Sequence, residues 1–282
     1  MRQLEGKTCV ITGATSGIGQ VAAEELAAMG ARLVLIARNQ ARGEAALERL
    51  RERAPGAAHA IHYADLMHIA AVKRVAAEIV AAEPRIDILI NNAGAMFSFR
   101  RLTAEGFERH FALNHMAYFV LSHGLRQPLL AAAPARVINT ASAAHQAAKL
   151  DFEDLQSAKG YNGVSVYQRS KLCNVLLTRE LARRWAGTGV TVNCLHPGFV
   201  ATRFGRESGG LLSLVLRGAQ LFAISPEEGA KTIVYLASSP EVANVTGGYF
   251  FKCRRVAPSV DAEDDSAAER LWRATAKMAG IE

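Results

Sequence analysis

Only four cysteines occur, and no two of them form a C-x-x-C pair, which excludes a disulfide framework and a thiolate zinc site. Three of Cys9, Cys173, Cys194 and Cys253 stand in apolar surroundings, where cysteine acts as a small hydrophobe. The eight histidines show no metal-ligand spacing, so no metal is expected. No stretch reaches the roughly 18 apolar residues that span a bilayer. The nearest, "LLSLVLRGAQLFAI" (211–224), is interrupted by Arg217. The start, "MRQLEGKTCVITG", has no apolar core of the secretory kind. A reduced, cytoplasmic protein is expected, with no transmembrane segment and at most a peripheral membrane contact through 211–224. There is no internal repeat and no low-complexity linker. The net charge is +7, but the arginines are scattered among glutamates (Glu44, Glu48, Arg49, Arg51, Glu52, Arg53). That is the pattern of solvated helix faces, not of a nucleic-acid stripe. The basic balance favours an anionic ligand.

What is present is alternation. Half of the 282 residues are hydrophobic, ample for a buried core. Short apolar runs, "TCVIT" (8–12), "RLVLIA" (32–37), "AIHYA" (60–64), "IDILIN" (86–91), "RVINTA" (136–141), "TVNCLH" (191–196) and "GGYFF" (247–251), are separated by longer helical patterns. Nearly continuous apolar runs mark parallel strands buried on both faces. The expected fold is α/β: one doubly wound Rossmann-type domain over 1–282, with a mainly parallel sheet of about seven strands flanked by helices. Right-handed crossovers align the strand C-termini on one edge, where ligands bind. A last amphipathic helix, with Ala268, Leu271, Trp272 and Met278 on its apolar side, is expected on the domain exterior within the tail 254–282.

The first run ends in "TGATSGIG" (12–19). Gly13, Gly17 and Gly19, with Thr15, Ser16 and Ile18 between them, form a turn that opens a helix. Glycine lets backbone N–H groups approach a pyrophosphate, and the helix N-terminus adds partial positive charge. The second run ends at Ala37, followed by Arg38 and Asn39. An acidic residue at this strand end would hold the ribose 2′-OH of NAD. An arginine instead suits a 2′-phosphate, so NADP(H) is expected as cofactor. The third run ends in "ADL" (64–66), where Asp65 is placed to accept from the adenine amino group or to cap the next helix, with Leu66 beside it. The fourth ends in "NNAG", whose Asn92, Ala93 and Gly94 allow the chain to pass close to the cofactor.

In "SVYQRSKLC" (165–173), Tyr167 and Lys171 stand four apart and share one helical face. A phenol beside an ammonium is either a surface contact or a proton donor. To work at neutral pH, a tyrosine needs its pKa lowered by about 2–3, roughly 3–4 kcal/mol. A neighbouring ammonium acts in that direction.

In order, "TGATSGIG", "NNAG", Asn114 in "ALNHMAYF", Ser142 in "NTASAAH", "YQRSK" and "HPG" resemble the short-chain dehydrogenase/reductase family over about residues 5–282. "LDFEDLQSAKGYN", "SKLCNVLLTRELARRWAGTGVTVNCLHPGFVAT" and "TGGYFFKCRRVAPS" look like its retinol dehydrogenase subgroup, without the N-terminal membrane anchor of several animal members. The resemblance implies NADP-dependent interconversion of lipophilic alcohols and their aldehydes or ketones. It places Asn114, Ser142, Tyr167 and Lys171 on the catalytic tetrad. Tyr167 is then the acid/base, Lys171 its electrostatic partner and holder of the nicotinamide ribose. Ser142 orients the substrate oxygen, and Asn114 holds a water that links Lys171 to solvent. The turn after the sixth run brings Pro197, Gly198, Val200 and Thr202 to the nicotinamide, with a helix N-cap as the other reading of Thr202.

Ser142 and Tyr167 are 25 residues apart, longer than most of the family shows. The intervening loop, 143–164, is expected to border the substrate, with His145 and Tyr161 as candidate contacts. A lone loop histidine is more often a polar surface group. The region 203–225 is expected to form a lid, with Leu214 and Phe222 among its apolar contacts; packed core and a membrane-dipping segment are the competing readings. Two long helices, about 114–131 and 166–186, offer a face for a homodimer. Alternatives stay open: a short-chain reductase for oxoacyl, steroid or tetrapyrrole substrates, or a catalytically idle NADP-binding regulator.

Overall fold

The first strand, β1 (Thr8–Thr12), lies inside an eight-stranded sheet and is paired on both sides. The structure is a computed structural model that describes residues 3–198 and 224–281. The other strands are β2 (Arg32–Ala37), β3 (Ala60–Tyr63), β4 (Ile88–Asn91), β5 (Ala135–Thr140), β6 (Val190–Leu195), β7 (Tyr249–Phe251) and β8 (Arg254–Val256). Their order is β3-β2-β1-β4-β5-β6-β7-β8. All pair in parallel except β7 with β8. The direction of winding reverses between β1 and β4, the switch point where such sheets bind ligands.

Alternation within each strand builds two cores. Cys9 and Ile11 of β1 pack to one face with Ile88 and Ile90 of β4, while Val10 and Leu89 pack to the other. Because both sets are apolar, the strands are buried on both sides. On one face lie α1 (Gly17–Ala28), α2 (Gln40–Arg53) and α7 (Pro226–Ser238). On the other lie α3 (Ile69–Ala82), α4 (Ala117–Gly124), α5 (Arg126–Ala132), α6 (Gly163–Arg184) and α8 (Asp265–Ala279). Among the described residues, no helix is long and apolar enough to cross a membrane.

Two expectations are refined. The sheet gains an eighth strand, the antiparallel β8, which follows a tight turn at Lys252 and Cys253 with φ of 47° and 60°. The helix expected over 114–131 is three pieces. A π-helix, Phe111–Met116, runs into α4, and α5 starts afresh with Pro128 in its first turn, where a missing N–H costs nothing. The helix α8 lies over α4 and α6: Trp272 meets Phe119 edge-on at 4.7 Å, the Arg184 guanidinium sits 4.5 Å from the Trp272 ring, and Thr275 bonds His115 at 2.9 Å. Part of the α4 and α6 surface is thus packed against the chain's own last helix. As expected, that helix lies on the domain exterior, with Ala268 and Leu271 buried.

Candidate active site

The turn after β1 is shaped by close backbone approach. Gly13 has φ +70°, and a Cβ there would lie 2.8 Å from the Ala93 Cα. A Cβ on Gly19 would lie 2.4 Å from both the Gly13 carbonyl oxygen and the Asn92 Nδ2. Gly17, at φ +59°, opens α1 in a conformation that side chains resist. Thr12, which sequence reasoning passed over, ties the two strand ends together. Its hydroxyl accepts from the N–H groups of Asn92 and Ala93, both at 2.9 Å. The Asn92 amide donates back to the carbonyls of Thr12 (3.1 Å) and Gly13 (3.3 Å). The signal was adjacency: Thr12 directly precedes the first glycine of the motif.

Around this turn the residues suit a dinucleotide. Ser16 is the N-cap of α1 yet its side chain makes no capping bond, which leaves that role to another acceptor, as a pyrophosphate would be. Thr15 and Ile18 are half-buried beside it. Arg38 and Asn39 are exposed at the end of β2, and Asn39 caps α2 through the Arg42 N–H at 3.0 Å. Asp65 does not cap α3. Its carboxylate accepts from the Met67 N–H at 3.0 Å, while Glu105 accepts from the N–H groups of Ile69 and Ala70. The Leu66 side chain is buried in the core, so only its backbone is left for a ligand. Pro197 and Gly198 are half-buried after β6. Val200, Thr202, Leu214 and Phe222 lie outside the described residues, as does nearly all of the expected lid.

Asn114, Ser142, Tyr167 and Lys171 come together at the C-terminal edge of the sheet. A Cβ on Gly94 would be 3.1 Å from the Asn114 Oδ1 and 3.4 Å from the Lys171 Nζ, so these three converge on one point. Lys171 donates to the Thr140 carbonyl at 2.9 Å, and its Nζ lies 5.8 Å from the Tyr167 ring centroid. The Ser142 hydroxyl stands close enough to the Tyr167 phenol to lower its pKa. Asn114 sits in the π-helix, a distortion that recurs at functional sites. Its carboxamide accepts from the Ala95 N–H (2.9 Å) and donates to the Ala95 carbonyl and the Ser170 hydroxyl (both 3.0 Å). Among the described residues, one hydrogen bond to Oδ1 is seen, and an amide oxygen can accept two.

The electrostatics depart from expectation. Loss of water around Tyr167 pushes its pKa up to about 12, against a smaller lowering by the Ser142 hydroxyl. Burial lowers Lys171 to about 7. In the chain alone, desolvation dominates both groups. The phenol is protonated at neutral pH, the form needed to donate.

One expected substrate contact, His145, is relocated, and the other, Tyr161, has its hydroxyl engaged within the chain. His145 is fully buried behind Ser142. Its Nε2 accepts from the Ser259 N–H at 3.1 Å, which places the ring proton on Nδ1, donated to the Ser142 carbonyl at 2.7 Å. It anchors Ser142 instead of touching substrate, and no local pattern announces Ser259 far along the chain. Tyr161 is half-buried, and its hydroxyl is committed to Glu108 at 3.0 Å. A groove of about 550 Å³ beside Arg184, Trp272 and Lys277 is remote from this chemistry. Arg184 is 17 residues along α6 from Tyr167, about 25 Å of helix.

A protonated phenol, a hydroxyl beside it and a buried lysine, set beside a glycine turn at a switch point, are the equipment of a dinucleotide-linked oxidoreductase. A family model described as short chain dehydrogenase matches residues 7–209. Human retinol dehydrogenase 13 is 40% identical over 285 aligned residues, covering 99% of this chain and 86% of that protein. Among solved structures, an uncharacterized protein from Mycobacterium paratuberculosis superposes with a TM-score of 0.79 at 29% identity, covering 99% of this chain and 95% of that one. The Pseudomonas aeruginosa RhlG/NADP active-site complex gives a TM-score of 0.69 at 28% identity, with coverage of 92% and 96%. The chain belongs to the short-chain dehydrogenase/reductase family. It is an oxidoreductase of the kind that acts on CH–OH groups with NAD(P)(H).

Proposed function

We propose that this enzyme uses NADP(H) to interconvert a lipophilic alcohol and its aldehyde or ketone. The observation that carries the reading is the Tyr167–Ser142–Lys171 arrangement, with Arg38 exposed where an NAD-type acid would stand. When bound, the nicotinamide supplies the hydride and, once oxidised, a positive charge near the phenol.

In reduction, Ser142 donates a hydrogen bond to the carbonyl oxygen and orients it. Tyr167 gives its proton to that oxygen as negative charge develops there. The phenolate left behind faces the Lys171 ammonium, which favours the charged form. The Thr140 carbonyl fixes Lys171 in place, and Asn114 holds the Ala95 backbone against Gly94. In oxidation the same phenol must first lose its proton, so the alcohol-oxidising direction gains more from rising pH. The preference for NADP(H) is supported by Arg38, able to pair with a 2′-phosphate. The lipophilic substrate is supported by the names of the relatives, retinol dehydrogenases among them.

An NADPH-oxidation screen across retinal, long-chain aldehydes, steroids, oxoacyl thioesters and small polar carbonyls tests this. The expected result is highest kcat/KM for the lipophilic aldehydes, with NADPH preferred to NADH. Faster turnover of small polar carbonyls, or equal use of NADH, overturns it.

A further inference from the structure

Beside the tetrad lies a cluster of ionisable groups that the reaction does not consume. Glu108 and His110 are both fully buried, and Tyr161 closes over them from the long loop. His110 Nε2 accepts from the Phe97 N–H at 2.8 Å, so its proton sits on Nδ1 and is donated to the Glu108 Oε1 at 3.0 Å. The Tyr161 hydroxyl donates to the same oxygen at 3.0 Å and lies 3.1 Å from Nδ1. The other oxygen, Oε2, accepts from the Phe111 N–H at 2.9 Å. Burial raises the pKa of Glu108, while the hydrogen bond from His110 and those from the Phe111 and His110 backbone N–H groups act the other way, and the carboxyl is held below its usual range. Burial and then the negative charge of Glu108 push Tyr161 up, which keeps it a donor. Arg109 and Arg100 are the other charges facing Tyr161.

The carboxylate, together with His110, therefore fastens three segments. Phe97 follows the "NNAG" turn, Phe111 opens the π-helix that carries Asn114, and Tyr161 ends the long loop. Each segment meets the start of α6. A Cβ on Gly163 would be 2.3 Å from the Phe97 carbonyl oxygen, and the His110 ring lies 6.2 Å from the Tyr167 ring. Removing one donor from a buried charge is costly, because the charge remains while its satisfaction falls.

We propose that Glu108, acting through His110 and Tyr161, is a positioning residue that sets the substrate-side wall of the site against Tyr167. The inference rests on the assignment of Tyr167 as acid/base. It concerns the carbonyl side, since among the described residues the hydrogen bonds of the cluster reach Phe97, Phe111 and Tyr161 and not the glycine turn. Glutamine can replace His110 with one acceptor for the Phe97 N–H and one donor for Glu108, whereas phenylalanine can replace neither.

The test compares Tyr161→Phe, Glu108→Gln, His110→Gln and His110→Phe, with kcat and KM for a lipophilic aldehyde and Kd for NADPH. Tyr161→Phe is expected to lower kcat/KM for the aldehyde about tenfold, one hydrogen bond to a charge, with NADPH Kd unchanged within about twofold. His110→Gln keeps most of the activity and His110→Phe loses it. In the double variant of Glu108 and Tyr161 the two losses do not add, because both act through one carboxylate. Additive losses, an equal loss of NADPH affinity, or a lowered Tm with kcat/KM intact overturns the proposal. Should the wild-type protein reduce no carbonyl at all, the Proposed function fails by itself. The ring NMR signal of Tyr167 then reads the positioning: a shift in Tyr161→Phe supports it, and an unmoved signal overturns it.

Discussion

The turn after β1 and the loop before α6 both bring backbone to the same edge of the sheet, yet they are held by opposite means. The turn is held by closeness: Gly13 and Gly19 sit where any Cβ would strike neighbouring backbone. Its partners, Thr12 and Asn92, lie at the ends of adjacent strands. The loop is held by side chains that reach across the chain, with Tyr161 on Glu108 and His145 on Ser259, 53 and 114 residues apart. Steric closeness tolerates few residue types and serves a cofactor shared across a family. Hydrogen bonds between distant side chains can be exchanged pair by pair, which suits the side that selects the substrate.

If that contrast is right, damage to the two regions should look different. The largest effect is expected from Gly19→Ala, whose methyl group meets a backbone oxygen that cannot move aside. Overpacking of this kind costs about 3 kcal/mol. Tm should then fall by roughly 6–12 °C, read by thermal unfolding, with NADPH affinity falling too. An unchanged Tm breaks the steric half of the comparison. Next is Arg38→Asp, which should leave stability alone and shift the kcat/KM ratio from NADPH toward NADH by about 10–100-fold, the worth of one charge-assisted contact. A ratio that does not move removes Arg38 from cofactor choice.

Smaller is the pH dependence of the cofactor-free protein. With Lys171 lowered to about 7, the unfolded lysine holds a proton that the folded one has released between pH 7 and 10. Stability therefore rises with pH across that window. Above pH 10 the unfolded tyrosine loses a proton that folded Tyr167 keeps until about 12, so stability falls again. In urea unfolding, Lys171→Met should flatten the rise between pH 7 and 10 by on the order of 1–2 kcal/mol. Identical slopes in both proteins would contradict the buried lysine. The smallest effect belongs to Ser259→Ala. The His145 contact uses the Ser259 backbone N–H, and its hydroxyl has no partner among the described residues, so stability should change by under about 0.5 kcal/mol.

The same contrast explains what could be read without coordinates. The parallel strands were legible because Val10, Ile11 and Leu89 repeat an apolar pattern that only a doubly buried strand needs. The glycine turn and the tetrad were legible because backbone closeness and proton transfer each demand particular residue types. β8 was not: Arg254–Val256 is exposed throughout, and its turn places Lys252 and Cys253 at positive φ without the Gly or Asn that usually signals one. The split of the 114–131 helix could be sensed at Pro128, but the π-turn at Asn114 has no local cue. His145 was misassigned because a histidine in a loop looks polar and available until its buried partner is known. Thr12, Glu108 and His110 were passed over for the same reason, since their importance lies in contacts rather than in type. The raised pKa of Tyr167 was invisible as well, because spacing shows that a lysine is near but not how much water both have lost.

The most direct test is a stopped-flow comparison of wild type and Tyr167→Phe, following NADPH oxidation with the best lipophilic aldehyde from the screen and NADPH binding by fluorescence. The account predicts an unchanged NADPH Kd, within about twofold, and a loss of about 10³-fold in the hydride-transfer rate. A variant that binds NADPH and still reduces the aldehyde at close to the wild-type rate would contradict the assignment of Tyr167 as the proton donor.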